Sequence, residues 1–254
     1  MQAEFYNWML VFLRLGAFLF VLPFFSMINF PVTLRVALSA FGALLIAPIL
    51  PPFPVEKLDF LSLLGVMIEE ISIGLLLGFF SNMIFYAAEL AGNFISTEMG
   101  LNMAAIFDPM SQQSSQLAGT TLVFLATVIM LTLNLHHWLL LGFEQTYTVL
   151  PIGGAHLNNA VFETVVGQTS RIFMVALQVS APVIAVSFVV TLIFSVLSRA
   201  APEMNVFSEL FGFKIVSGLI VFGFTLQLSA RYVVNYLDRL PEDLVVVGQM
   251  LGGK

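Results

Sequence analysis

About six long apolar segments limit what this sequence can fold into. They run roughly over residues 5–30, 34–50, 60–97, 117–143, 172–197 and 212–237. A helix needs about 20 predominantly apolar residues to cross the hydrocarbon core of a bilayer. Backbone groups inside lipid must be hydrogen-bonded internally, which favours helices for segments of this length. The sequence therefore predicts an all-α integral membrane protein made of helical hairpins.

Composition supports a membrane protein and argues against several other classes. Of the 254 residues, 59% are hydrophobic and 9% are charged, whereas about a quarter of an average soluble domain is charged. The net charge of −6 provides no basic patch for nucleic acid. With 0 cysteines, there is no disulfide, thiolate metal site or cysteine nucleophile. The N-terminal sequence M-Q-A-E-F-Y-N-W has no basic region before the apolar run, so we expect no cleaved signal peptide.

We also expect neither an enzyme nor a cofactor protein. The sequence shows no nucleophile–base pair, phosphate-binding loop or cluster of metal ligands. Two histidines, His136 and His137, precede Trp138. Adjacent side chains point about 100° apart on a helix, so this pair favours a helix end at the membrane interface over a metal site.

Charged residues interrupt or border the apolar segments. They are Arg14, Glu69, Glu70, Glu89 and Glu98. One charge at the centre of a span costs about 2.5–3.5 kcal/mol on insertion scales. Two interpretations remain open: an ion or proton relay, or charges that face partner subunits and are satisfied there. We favour the second.

Two glycines follow Glu69 and Glu70 in the third segment. Gly74 and Gly78 form a small-xxx-small pair, which allows close approach of two helices. We therefore assign Glu69, Glu70, Gly74 and Gly78 to helix packing and assembly.

The stretch from Glu89 to Gly119 differs from its apolar surroundings. Ile95, Met99, Met103 and Ile106 lie on one face of a helix, and we expect this helix to end at Asp108-Pro109, because proline disfavours helix at the preceding residue. Residues 110–116 are rich in Ser and Gln and predict a loop. An irregular loop in such a protein lies outside the bilayer or lines a protein cavity.

Two stretches carry a resemblance to a known family. A-G-N-F-I-S-T-E-M-G-L-N-M-A-A-I-F-D-P, from Ala91 to Pro109, and R-A-A-P-E-M-N-V-F, from Arg199 to Phe207, resemble the FliR family of the flagellar type III protein-export gate. The resemblance covers nearly the whole chain. After the second stretch the family often has G-F-P-L-K, whereas this chain has L-F-G-F-K from Leu210 to Lys214. Because the first glycine and the proline are replaced, the turn there is expected to be looser.

The resemblance implies a loop that plugs the closed export channel. The plug would consist of Phe107, Asp108, Pro109, Met110, Ser111, Gln112, Gln113, Ser114, Ser115 and Gln116. Met99, Met103 and Met110 would form a deformable apolar seal, because thioether side chains adapt to irregular neighbours. The rival interpretation is a plain solvent loop between two helices.

The resemblance also implies an architecture and partners. Residues 1–170 would be a FliP-like helical part, and residues 171–254 a FliQ-like helical hairpin with a C-terminal tail. The chain would join FliP and FliQ, and also FlhB and FlhA, in a tilted hetero-oligomeric helical assembly. Unfolded flagellar proteins would pass through it. The expected place is the flagellar basal body in the bacterial inner membrane, in contact with lipid.

The connection after the fifth segment is expected to contribute to packing and assembly. Arg199 can bind the carbonyls at the end of one helix, and Asn205 can cap the next helix on the other side of Pro202. The alternative function, from a different class, is a small-solute or ion transporter that uses the intramembrane carboxylates and Arg14.

Overall fold

The computed structural model describes residues 2–22, 31–54, 59–101, 117–155, 159–201 and 206–252. Within these ranges the chain forms seven α-helices, one short 3₁₀ helix and no strand. The helices are α1 (Gln2–Val21), α2 (Val32–Ile46), α3 (Phe60–Glu98), α4 (Leu117–Thr132), α5 (Leu135–Val149), α6 (Asn159–Ala200) and α7 (Val206–Leu251), and the 3₁₀ helix is Ala47–Ile49. The predicted all-α class is confirmed.

Five stretches of helix in the described part of the chain are long and apolar enough to cross a membrane. They lie in α1, in α2 with the following 3₁₀ turn, and in α3, α6 and α7. Helices α4 and α5 make a sixth if they cross as one broken span. The prediction of about six long apolar segments is therefore confirmed.

Prolines mark two of the helix ends. Helix α1 ends at Val21, two residues before Pro23, as expected for a residue type that disfavours helix at the position before it. Pro31 occupies the N-cap position of α2 with an extended backbone.

Three segments differ from the boundaries expected from hydropathy. The segment 117–143 is interrupted at Leu133-Asn134, where Asn134 has a positive φ of 55°. Helix α6 begins at Asn159, inside the expected polar connection, and α7 continues to Leu251 through Pro241.

The C-terminal extension of α7 has a physical cause. In α7 the buried residues Leu237, Leu240, Leu244, Val247 and Leu251 recur at spacings of three and four, so this amphipathic stretch buries one face as a helix. Hydropathy averaged over all faces does not detect such a helix.

The chain forms two compact units. Unit 1 comprises residues 1–83, 134–168 and 237–254, and unit 2 comprises residues 84–133 and 169–236. The division expected at residue 170 was based on resemblance to FliP and FliQ and not on compact units. It therefore stays a prediction.

Each unit has its own core. In unit 1, Phe18 of α1 stacks on Phe143 of α5 with ring centroids 4.6 Å apart. In unit 2, small residues let α3 and α4 touch: a Cβ on Gly92 would overlap the backbone of Gly119. Around this contact lie Ala88, Ala91, Ile95, Met99, Ala118, Leu122, Ala176, Val183 and Phe222.

Helix α3 ends earlier than the sequence pattern predicted. The amide of Gly100 donates to the carbonyl of Thr97 and the amide of Leu101 donates to that of Ser96, both at 3.0 Å. These two bonds, with Gly100 at a φ of 76°, are a Schellman cap. The expectation of one continuous helix through Met99 is therefore wrong, because the capped helix ends at Glu98. The predicted helix end at Asp108-Pro109 lies outside the described residues.

The capped end of α3 is held against α7 in unit 2. Met99 is 1% exposed, and its Cγ lies 2.5 Å from where a Cβ on Gly218 would stand. The ring of Phe211 occupies the corresponding space at Gly100. Met99 is thus a core side chain of unit 2 in this structure.

We predict that Gly218→Val destabilises unit 2 by about 1–3 kcal/mol, because added methyl groups overpack the Met99 contact. Gly223→Val in the same helix is the control, since no atom lies within 4 Å of its Cβ position in the described chain. Thermal unfolding of the purified protein measures both variants. Equal melting temperatures for the two would contradict the contact.

Candidate functional site

The centre of unit 1 is a buried ion pair between α1 and α3. Arg14 and Glu70 are both 0% exposed. The guanidinium donates through Nε to Oε2 at 2.5 Å and through Nη2 to Oε1 at 2.8 Å. Such a bidentate pair fixes the orientation of both side chains as well as their distance.

The same two charges hold the turn that follows α5. Arg14 Nη1 donates to the carbonyl of Leu150 at 3.0 Å. The Glu70 carboxylate accepts from the amide of Gly153 at 3.2 Å, and the Glu69 carboxylate accepts from the amide of Ala155 at 2.6 Å. The P-I-G-G-A turn is therefore bound by its backbone groups to adjacent carboxylates on α3.

Gly153 suits its place in this turn for two reasons. Its φ of 70° is in the left-handed region that side chains disfavour. A Cβ there would also stand 3.1 Å from the ring of Phe53. A residue with a side chain would therefore move the amide that reaches Glu70.

An aromatic ring completes the surroundings of Arg14. The guanidinium carbon lies 4.2 Å from the centroid of the Tyr147 ring, a cation–π distance. Tyr147 is 4% exposed. We name Arg14, Glu69, Glu70, Tyr147 and the 150–155 turn the charge cluster.

The charge cluster explains how unit 1 tolerates ionised groups. Burying a carboxylate or guanidinium is strongly unfavourable unless it is paired and its remaining polar atoms are hydrogen-bonded. All three kinds of guanidinium nitrogen have acceptors here. The expectation that partner subunits satisfy these charges is wrong for Arg14 and Glu70, since the chain satisfies them itself.

The predicted glycine pair packs next to this cluster. A Cβ on Gly74 would overlap the carbonyl oxygen of Arg14, and one on Gly78 would stand 3.0 Å from the carbonyl oxygen of Phe18. The missing side chains therefore let α3 lie directly on α1, which brings Glu70 to Arg14. A role of these glycines in subunit assembly stays a prediction.

The remaining predicted residues are only partly described. The plug residues 107–116 lie outside the described residues, as do Met103, Pro202 and Asn205. Arg199 is exposed in the last turn of α6, where a cation interacts favourably with the helix dipole. Glu89 is exposed and Glu98 is half-buried. The plug, seal and capping roles stay predictions.

Sequence reasoning missed Tyr147 and the 150–155 turn. Tyr147 has the spacing of a buried helical position, four residues after Phe143, but nothing local identifies it as a neighbour of a cation. The adjacent Gly153 and Gly154 were a signal for a backbone that approaches another group closely.

We predict that Glu70→Gln destabilises unit 1 by about 3–5 kcal/mol, because it leaves the buried Arg14 charge uncompensated. Glu69→Gln makes the same change one residue away within the charge cluster. We expect it to cost less, because Glu69 is only half-buried and a glutamine oxygen can still accept from the amide of Ala155. The measurement is thermal unfolding of each variant.

The double variant Arg14→Met with Glu70→Met separates structure from ion transfer. Replacing a buried pair by apolar side chains of similar volume is often neutral or stabilising, so we expect the double variant to be more stable than Glu70→Gln. If the Arg14–Glu70 pair serves only to hold the fold, we expect cells that carry the double variant to keep the biological activity of the protein. A stable double variant without activity would instead favour an ion or proton relay.

We also predict that Gly78→Leu prevents the contact of α1 with α3 and leaves the subunit unassembled. Gly65→Leu, in the same helix but with open space at its Cβ position, should assemble. Copurification with partner proteins is the measurement. Normal yield of the Gly78 variant would show that close packing at this point is not required.

Comparison with known proteins places this sequence in a family. Residues 5–240 match the family described as bacterial export proteins, family 1. The flagellar biosynthetic protein FliR of Bacillus subtilis (strain 168) is 31% identical over 216 residues, 84% of this chain and 83% of that protein. The protein of the same name from Escherichia coli (strain K12) is 30% identical over 235 residues, 92% of this chain and 89% of that protein. Matching along almost its whole length, the chain belongs to bacterial export proteins, family 1.

Proposed function

We propose that the chain is a subunit of the flagellar type III secretion export gate. It helps to form and seal the channel that passes unfolded flagellar proteins across the bacterial inner membrane. The proposal rests on family membership over residues 5–240, with relatives named flagellar biosynthetic protein FliR that align over most of both chains.

The exposed apolar surface of the helices leaves room for contacts with other subunits as well as with lipid. The chain itself buries only 17% of the apolar window in α7 and 22% of those in α3 and α6. Lipid or protein has to cover the rest. In this proposal FliP and FliQ cover much of it, with FlhB and FlhA nearby, and residues 1–170 and 171–254 take FliP-like and FliQ-like places.

The proposed seal is the segment Phe107 to Gln116. Helix α3 stops at its Schellman cap with Met99 fixed in the core of unit 2, and α4 begins at Leu117. Both ends of the intervening segment are therefore anchored to one compact unit. We propose that the segment blocks the lumen in the resting gate, with Met103 and Met110 as adaptable contacts and Met99 as their anchored neighbour.

Removing the chain from its host tests the proposed function. We expect a strain without it to stop secreting flagellar subunits and to regain secretion when the full chain is returned. The control is the level of those subunits inside the cell, which should stay normal. Undiminished secretion without the chain would refute a role in the export gate.

Deleting Met110 to Ser115 tests the seal. We predict that the gate still assembles but conducts ions or small solutes, because the obstruction is shortened while its anchors remain. Conductance of the purified gate in planar bilayers is the direct measurement. The control replaces the same six residues with a Gly-Ser segment of equal length, which separates length from side-chain chemistry. A deletion that assembles and stays tight would assign the seal to other subunits.

A further inference from the structure

Unit 1 contains an open groove that its own charge cluster does not use. The groove lies between α5 and the 237–246 part of α7 and has a volume of about 690 Å³. At its floor Gly142 rests on Pro241, with 3.0 Å between the Gly142 Cβ position and the Pro241 Cα. The groove is lined by residues of both helices on either side of this contact, and a groove between two helices can accept the ridge of a third.

The walls of the groove are apolar with an exposed aromatic side chain. Trp138 on α5 is 58% exposed, and Leu141 and Val245 also line the groove. Tryptophan is among the residue types most enriched at the energetic centres of protein interfaces. An unoccupied trough of this kind would leave these side chains in an unfavourable contact with water.

The charged groups of the groove all have one sign. Among the described lining residues only Asp238 and Glu242 are ionisable, and they stand one helical turn apart on the same face of α7. Both are exposed. An acyl chain of a lipid would leave these carboxylates unpaired in an apolar contact, and the phosphate of a lipid headgroup would be repelled by them. An apolar segment that carries one cation can pack on the apolar walls of the groove and also pair with its two carboxylates.

We propose that this groove docks an apolar helix of another protein of the gate, which presents a Lys or Arg to Asp238 and Glu242. The apolar face of that helix packs on Trp138, Leu141 and Val245, in the way that amphipathic helices bind hydrophobic grooves. The inference rests on the proposed function, because the assembled gate supplies the partner helix.

Site-specific photo-crosslinking in the assembled gate tests the groove. A photoreactive phenylalanine derivative replaces Trp138 in the full chain, and the same replacement at Leu140 is the control. Leu140 is 44% exposed on the same helix but does not line the groove. We expect Trp138 to yield a protein adduct whose mapped peptide is an apolar helical segment with a Lys or Arg within one turn of the crosslink. Such an adduct should be absent at Leu140.

Charge variants then test the carboxylates. Asp238→Asn with Glu242→Gln removes both charges without adding bulk, and Glu242→Lys reverses one of them. We expect the adduct to fall roughly tenfold or more, since unpairing a desolvated cation weakens a complex strongly. Glu163→Lys makes the same charge change at an exposed carboxylate of α6 outside the groove, and it should keep the adduct. Reversing the mapped Lys or Arg to Glu should restore the adduct with Glu242→Lys.

Several outcomes would overturn the docking proposal. They are a lipid adduct, an adduct with a second copy of this chain, no adduct beyond the Leu140 level, or an adduct that the neutral double variant leaves unchanged. If the protein with Glu242→Lys does not accumulate in cells, the neutral double variant alone tests the role of the two carboxylates. The two proposals fail separately. If the crosslink is absent but flagellar secretion still requires the chain, only the docking proposal is refuted. If secretion continues without the chain, the proposed function is refuted.

Discussion

The bidentate contact between Arg14 and Glu70 is the interaction on which the arrangement of unit 1 depends. It joins α1 to α3, and the same charges bind the backbone of the turn after α5. An isolated ion in such a core would be intolerable, whereas a closed and fully hydrogen-bonded pair is tolerated. Its geometry requires the backbones of α1 and α3 to lie close together, and the glycine at position 74 permits this.

Several hydroxyl groups elsewhere in the helices are satisfied within their own helix. The hydroxyls of Ser81, Ser180, Thr191 and Ser229 each donate to the carbonyl four residues earlier at 2.7–2.9 Å. Hydroxyls bonded in this way demand nothing from a neighbouring helix or lipid.

Local patterns predicted much of the fold. Runs of apolar residues located most of the helices, because the hydropathy of a segment is a local property. The end of α1 and the start of α2 also lie beside Pro23 and Pro31, whose effect on the backbone reaches only neighbouring residues. The end of α3 could also have been predicted from the local sequence. Gly100 directly follows the buried Met99, and a glycine just after the last periodic apolar residue is a common signal for the end of a helix. The periodicity of Met99 with Met103 pointed instead to a longer helix.

The candidate site was less accessible to sequence reasoning. Arg14 and Glu70 could be singled out as charges in apolar surroundings, but they lie 56 positions apart and meet only through tertiary packing. Nothing in either segment specifies the other as its partner. The other members, Tyr147 and the 150–155 turn, lie still further along the chain. The charge cluster can therefore be identified only from the packing of α1, α3 and α5.

The separation of these partners along the chain affects the order of synthesis. Arg14 leaves the ribosome 56 residues before Glu70 and 136 residues before Leu150. At translation rates of about 5–20 residues per second, the guanidinium waits roughly 3–11 seconds for its carboxylate. During that interval α1 carries an unpaired cation, which disfavours its residence alone in lipid. An unpaired cation in α1 therefore favours insertion of the first helix together with the third over insertion of the first helix alone.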